Sequence, residues 1–298
     1  MKDRMIDGAY ALGWAALKHL PEPVARGLFN QLADHTWRRR GKGVLRLEAN
    51  LRRVRPELDE AGLRELSRAG MRSYLRYWKE SFRLQTLSTA QLAEQCQVKG
   101  IEPLEEALGN GRGVVIALPH MGNWDLAGAW VAGAKGHRFT TVAERLKPES
   151  LFDRFVAYRE SLGMEVLPLT GGQGSVIGTL ARRLRAGGLV CLVGDRDLSE
   201  AGLPVDFFGE RTRMPAGPAA LALRTGAALL PVTLWYDGPV MRALIHPEVL
   251  PPAEGDQKEQ TSAMTQAMAD IWAEGIREHP EDWHMLQRFW LADLEGTR

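Results

Sequence analysis

The sequence predicts an α/β fold: a central, mostly parallel twisted sheet flanked by helices on both faces, with a helical N-terminal region. Three observations carry this expectation. Up to about residue 100, apolar residues return every three or four positions with arginines between them, the period of amphipathic helices. From Gly111 onward, short β-branched runs alternate with helical stretches, the pattern of strands joined by crossover helices. The 298 residues suffice for one large core, and no internal repeat or low-complexity tract divides them. One domain is expected over 1–298, with a helical membrane-proximal region at 1–100 and an α/β core at 111–298.

Residues 5–20 read as a helix with a broad apolar face and with Tyr10 and Trp14 suited to headgroup depth. Its apolar run is shorter than the roughly 20 residues that cross a bilayer. Its charge pattern is not that of a secretory signal, and no small-residue cleavage site comes after it. Pro21-Glu22-Pro23 breaks the chain. Helices are expected next at 24–36, 43–54, 59–83 and 89–95, and the aromatics Tyr74, Tyr77, Trp78 and Phe82 on the third suit either a core or an apolar channel. Strands are expected at Val114–Leu118, Phe139–Ala143, Glu165–Pro168, Leu189–Val193 and Leu229–Tyr236, with helices near 124–134, 148–162, 174–186 and 216–225 between them. Val240–His246 should pair back on the preceding strand through Asp237-Gly238-Pro239, and a last helix runs from about 258 to 278 into Pro280-Glu281-Asp282-Trp283.

A net charge of +1 argues against a dedicated nucleic-acid binder. It conceals a local asymmetry: Arg38, Arg39, Arg40, Lys42, Arg46, Arg52, Arg53 and Arg55 face only Glu48. Such a run suits either a solvated helix face or a surface meeting anionic headgroups. The two cysteines, Cys96 and Cys191, lie in unrelated contexts and form neither a disulfide framework nor a metal motif, which fits a reducing compartment.

In sheets of this kind ligands gather at the carboxyl ends of the strands. His120 follows the first core strand, Glu144 the second, Leu169-Thr170-Gly171-Gly172 the third and Asp195-Arg196-Asp197 the fourth, so these groups should converge on one rim. His120-Met121-Gly122-Asn123-Trp124-Asp125 forms a strand-to-helix corner. With Asn123 as the cap, Asp125 lies in the first helical turn, and from there it is expected to turn back on the imidazole as partner of a general base. An exposed loop histidine followed by a helix-start aspartate is the plainer alternative.

Other chemistries fit less well. Ser175 in Gly174-Ser175-Val176-Ile177-Gly178 sits one position early for a nucleophile elbow. The glycines from Gly171 to Gly178 miss the dinucleotide fingerprint by one residue. No histidines or cysteines gather near His120 at metal-ligand spacing, so no metal is expected. What remains is a base that deprotonates a substrate hydroxyl, which then attacks an activated acyl group directly.

His120-Met121-Gly122-Asn123-Trp124-Asp125 resembles the histidine, four residues, acid motif of the glycerolipid-type acyltransferases. Gly194-Asp195-Arg196-Asp197-Leu198 and Arg211-Thr212-Arg213-Met214-Pro215-Ala216-Gly217-Pro218-Ala219-Ala220-Leu221-Ala222 resemble the bacterial lipid A acyltransferase branch, and within it the actinobacterial phosphatidylinositol mannoside acyltransferases. The resemblance implies a long-chain acyl-coenzyme A donor as co-substrate, with no permanently bound cofactor. It implies as acceptor the 6-hydroxyl of a mannose in a mannosylated phosphatidylinositol. It also implies peripheral attachment to the cytoplasmic face of the inner membrane, with His120 as base and Asp125 as its partner. Glu144, Arg159 and Asp195 fall where it implies polar residues near the acceptor, a structural Glu144–Arg159 ion pair being the alternative for two of them. Arg196, Arg211 and Arg213 are placed to meet coenzyme or lipid phosphates. Acylation of a lipid A precursor or a lysophospholipid, or a non-catalytic lipid-binding role, are the competing readings.

Overall fold

The computed structural model describes residues 18, 20–145, 149–170, 175–197 and 201–295. The expected interfacial helix at 5–20 and the glycine turn at 171–174 therefore lie almost wholly outside the described residues.

The N-terminal region is helical. Helices α1 (Glu22–Arg39), α2 (Lys42–Val54) and α3 (Glu60–Ser81) come first. Asp59 caps α3 by accepting from the Gly62 N–H, and the Asp34 carboxylate clamps α1 to α3 by pairing with Arg68 and Arg72. Those two guanidinium groups hold the Asp34 carboxyl well below the usual carboxylate range. The basic run is only partly free. Arg40 pairs with Glu48, Arg52 with Glu60, Arg53 with Glu210 and Asp293, and Arg55 with Glu57.

Helix α4 (Thr89–Gln95) carries a Ser88/Gln91 capping box and leads into β1 (Cys96–Lys99) and α5 (Glu102–Gly109). The core then alternates as expected: β2 (Val114–Leu118), α6 (Trp124–Gly133), β3 (Phe139–Ala143), α7 (Glu149–Ser161), β4 (Met164–Pro168), α8 (Val176–Arg185) and β5 (Leu189–Val193). A two-stranded hairpin, β6 (Leu203–Phe207) and β7 (Glu210–Met214), precedes α9 (Gly217–Thr225), β8 (Ala228–Asp237), β9 (Val240–Ile245), α10 (Gln257–Glu278) and a short α11 (Leu291–Glu295). The strand at 96–99 corrects the reading of 1–100 as helical, and the hairpin at 203–214 is an element beyond the expected strands.

The seven-stranded sheet has the order β1-β9-β8-β2-β5-β3-β4. All neighbours within β8-β2-β5-β3-β4 are parallel, whereas β9 runs antiparallel to β8 and β1 runs parallel to β9. Alternation along β2 splits the interior into two layers. Val115 and Ala117 face a core built with Trp272 and Met268 of α10, while Val114, Ile116 and Leu118 face one built with Leu126 and Trp130 of α6. No helix among the described residues is long and apolar enough to cross a membrane.

Candidate active site

Strand register assembles the site. β2 and β5 are adjacent and parallel, with Leu118 opposite Val193, and the Gly194 N–H donates to the Leu118 carbonyl (2.8 Å). Continued two residues, that register sets His120 opposite Asp195. The Asp195 carboxylate is fully buried. Its Oδ1 lies 2.5 Å from His120 Nδ1, and its Oδ2 accepts the His120 backbone N–H (3.0 Å) and the Trp283 indole N–H (3.1 Å). Burial pushes the Asp195 carboxyl up, but the His120 charge and these donors outweigh it and hold the group below its ordinary value. With Nδ1–H facing a carboxylate, Nε2 is the nitrogen left to accept a proton. The imidazole is partly open, with 28% of its side chain exposed.

Asp125 is elsewhere, which corrects the expected His120–Asp125 pair. Asn123 caps α6 by accepting from the Leu126 N–H (2.9 Å), so Asp125 does lie in the first turn. From there its side chain points into the protein, where it accepts from Arg159 Nε (2.8 Å) and Nη2 (3.3 Å) and from the Tyr77 hydroxyl (2.8 Å). Burial and the Asp125 charge push the Tyr77 hydroxyl well above its ordinary value, so it stays a donor. Burial lowers the Arg159 guanidinium, but the Asp125 carboxylate more than offsets this, and the net direction is up. Arg159, expected near the acceptor, pairs with Asp125 and lines the apolar cavity beneath α6.

Glu144 pairs with Arg196 (2.9 Å) and not with Arg159, and Arg196 also donates to the Gln287 side chain. Arg213 stands exposed on β7, between buried Thr212 and Met214, and Arg211 on the same strand pairs with Asp206 (3.4 Å). The structure thus brings His120 and Asp195 together, sets Glu144 beside Arg196, and separates Asp125 and Arg159 from the imidazole.

The corner is held from behind. Gly122 has φ +57°, and a Cβ there would lie 2.9 Å from Leu234 Cβ and 3.1 Å from its carbonyl carbon, so only glycine lets the turn sit on β8. Glu80 accepts from Asn123 Nδ2 (3.0 Å) and from the Tyr236 hydroxyl (2.9 Å). Trp124 meets the His120 ring edge-on at 5.4 Å and stacks on Tyr77 at 4.1 Å. The motifs in the sequence point to neither Glu80 nor Trp283.

Beneath α6 lies an apolar cavity of about 90 Å³. Leu118, Trp124 and Val193 bring its wall up to the histidine, and Val131, Ile245 and Phe139 continue it inward. Of the aromatics considered for a channel, Tyr74, Tyr77, Trp78 and Phe82 do not line it. Trp78 packs instead against Tyr74, Phe82 and Phe155. Among the described residues no cluster of three or more potential metal ligands occurs, and both cysteines are free thiols.

Residues 1–292 match the family described as bacterial lipid A biosynthesis acyltransferase. A protein of Mycolicibacterium smegmatis named phosphatidylinositol mannoside acyltransferase is 50% identical over 297 residues, covering 99% of this chain and 94% of that one. A Mycobacterium tuberculosis protein of the same name is 49% identical over 294 residues, covering 98% and 90%. The crystal structure of the 1-acyl-sn-glycerophosphate (LPA) acyltransferase PlsC from Thermotoga maritima aligns with 84% of this chain and 97% of its own, at 16% identity and a TM-score of 0.40.

Proposed function

Because the chain belongs to the bacterial lipid A biosynthesis acyltransferase family, we propose that it moves a long-chain acyl group from acyl-coenzyme A to the 6-hydroxyl of a mannose in a phosphatidylinositol mannoside, at a membrane surface. The names of its half-identical relatives support the acceptor. The observation that carries the chemistry is His120, backed by a buried carboxylate and edge-on to Trp124, which lines the apolar cavity.

The acyl chain lies in the cavity and leaves its thioester carbonyl beside His120. Nε2 takes the proton of the mannose hydroxyl as the oxygen attacks the carbonyl carbon. Asp195 stabilises the imidazolium that forms. When the tetrahedral adduct collapses, the C–S bond breaks and the coenzyme thiolate leaves, taking its proton from Nε2. No protein acyl adduct and no resident cofactor are needed. The Glu144–Arg196 pair meets acceptor hydroxyls, and exposed Arg213 meets phosphate. Asp125 and Arg159 keep the cavity wall in place.

The test is purified protein with palmitoyl-coenzyme A and a panel of acceptors: phosphatidylinositol mannosides, a lipid A precursor and a lysophospholipid. Mass spectrometry of the acylated product identifies the hydroxyl. His120→Ala is expected to reduce transfer by about 10³-fold or more while the circular dichroism spectrum of the folded protein is retained. Substantial turnover by the folded variant excludes His120 as base. Equal or better turnover on another acceptor overturns the mannoside assignment.

The cavity makes a separate prediction. Ala127 lines it from α6, and Ala127→Leu fills space there. Preference is expected to move toward shorter acyl chains, by several-fold in kcat/KM across a chain-length series. An unchanged chain-length profile would place the acyl group elsewhere.

Helix α1 supports the membrane surface. Val24, Leu28 and Leu32 are 54%, 50% and 47% exposed and four residues apart, so they form one apolar stripe. Arg38 and Arg39 stand exposed at the end of that helix, Lys42 stands exposed at the start of α2, and Leu45 on α2 is 47% exposed. Leu28→Glu is expected to weaken sedimentation with anionic vesicles while acylation of detergent-dispersed acceptor persists. Undiminished vesicle binding would remove α1 from the contact.

A further inference from the structure

The segment after α10 crosses the catalytic corner and touches it repeatedly. The Gly122 N–H donates to the Asp282 carbonyl (2.9 Å), and the His284 N–H donates to the His120 carbonyl (2.8 Å). Between them Met121 and Trp283 pair as an antiparallel bridge, and the Trp283 indole N–H reaches Asp195 Oδ2 (3.1 Å). This strap is itself anchored. The Asp282 carboxylate accepts from the Ser73 hydroxyl and from the Tyr236 N–H (2.8 Å), and His284 Nε2 lies 2.9 Å from Ser73 Oγ. Asn50 Nδ2 donates to the carbonyls of Met285 (2.8 Å) and Gln287 (2.9 Å). Trp283 is fully buried, with Phe207, Phe208 and Phe289 around its ring.

A buried carboxylate must have its lone pairs filled or it turns to find donors. Asp195 Oδ2 has two donors, one from the backbone of His120 and one from Trp283, which leaves Oδ1 for the imidazole. The indole N–H can only donate, so it admits the carboxylate in one sense.

We propose that Trp283 is a positioning residue for acyl transfer: its indole N–H locks the Asp195 carboxylate in the orientation that presents Oδ1 to His120 and moderates how strongly that carboxylate holds the imidazolium. This rests on His120 and Asp195 acting as the base pair. A carboxylate that loses a donor becomes more basic and holds a neighbouring cation more tightly. Without the N–H, therefore, the imidazole keeps its proton to higher pH, and the free carboxylate rotates. His284, the other titratable group facing His120, is pushed down to about 3 by burial and by the His120 charge, so it stays neutral throughout.

The experiment replaces Trp283 with 3-benzothienylalanine, which keeps the bicyclic shape and puts sulfur where the N–H was. Trp283→Phe is made alongside, and the analogue keeps the test intact if the phenylalanine variant fails to fold. In the analogue, kcat is expected to fall about tenfold, the loss of one charge-assisted hydrogen bond. KM for the acyl donor stays within about twofold, because the cavity is untouched. The acidic limb of the kcat/KM profile moves to higher pH by about half a unit. An unchanged kcat and limb, or a lower kcat with an unmoved limb, overturns the proposal, the second outcome meaning that the ring only packs. Asp195→Asn separates the two readings. If that variant is as active as the parent, the base pair itself fails. If it is impaired while the analogue is not, only the role of Trp283 fails.

Discussion

Asp195→Asn is expected to lower kcat by about 10³–10⁴-fold, the loss seen when a base-orienting aspartate becomes an amide. The amide matches the carboxylate in shape, so the His120 and Trp283 N–H donors still find an oxygen. What it cannot do is accept from Nδ1–H with its other end, which now carries N–H₂. The ring is driven to the tautomer protonated on Nε2, the nitrogen that must accept the hydroxyl proton. The variant should keep its circular dichroism spectrum and bind acyl-coenzyme A normally. A kcat within about threefold of the parent would remove Asp195 from the mechanism. Stability gives a second readout. The folded Asp195 carboxyl sits below its ordinary value of 3.8, so its contribution is fully present above that value and is lost progressively below it, as pH falls through the folded value. The stability gap between parent and variant should therefore narrow as unfolding is followed from about pH 6 towards about pH 3.

Asp125→Asn has a different signature despite lying five residues from the same histidine. It leaves the Arg159 guanidinium without its carboxylate in an interior where the pair was 17% and 2% exposed. Removing one partner of such a pair costs about 3–5 kcal/mol, which lowers the melting temperature of a chain this size by on the order of 10 °C. The acid limb of the rate profile should stay where it is, because Asp125 does not touch the imidazole. A variant that melts normally but is catalytically dead would return Asp125 to the reacting atoms.

The contrast shows what is legible in a sequence and what is not. The β2–α6 corner is readable because a β-branched run, a glycine turn and an asparagine cap are local signals, and the structure has all three. The partner of His120 is not. It comes from β5, 75 residues away, through a register that pairs Leu118 with Val193, and no spacing within the histidine motif encodes it. The β6–β7 hairpin does carry a signal, since Val205, Phe207, Thr212 and Met214 alternate as buried residues with polar or exposed neighbours. β1 is harder, because four residues on a sheet edge carry too short a period to distinguish from the end of a helix. The basic run, which suggests one continuous surface, is divided by tertiary pairs such as Arg53 with Asp293, 240 residues apart.

The in-register pairing of β2 with β5 has a consequence for folding. His120 and Asp195 become neighbours only when a contact spanning a quarter of the chain has closed, and that closure is also what completes the middle of the sheet. A partly folded chain in which only the β2–α6 corner has formed holds an imidazole without its carboxylate. Under the proposed mechanism the onset of transfer activity during refolding should coincide with protection of the Gly194 amide against hydrogen exchange.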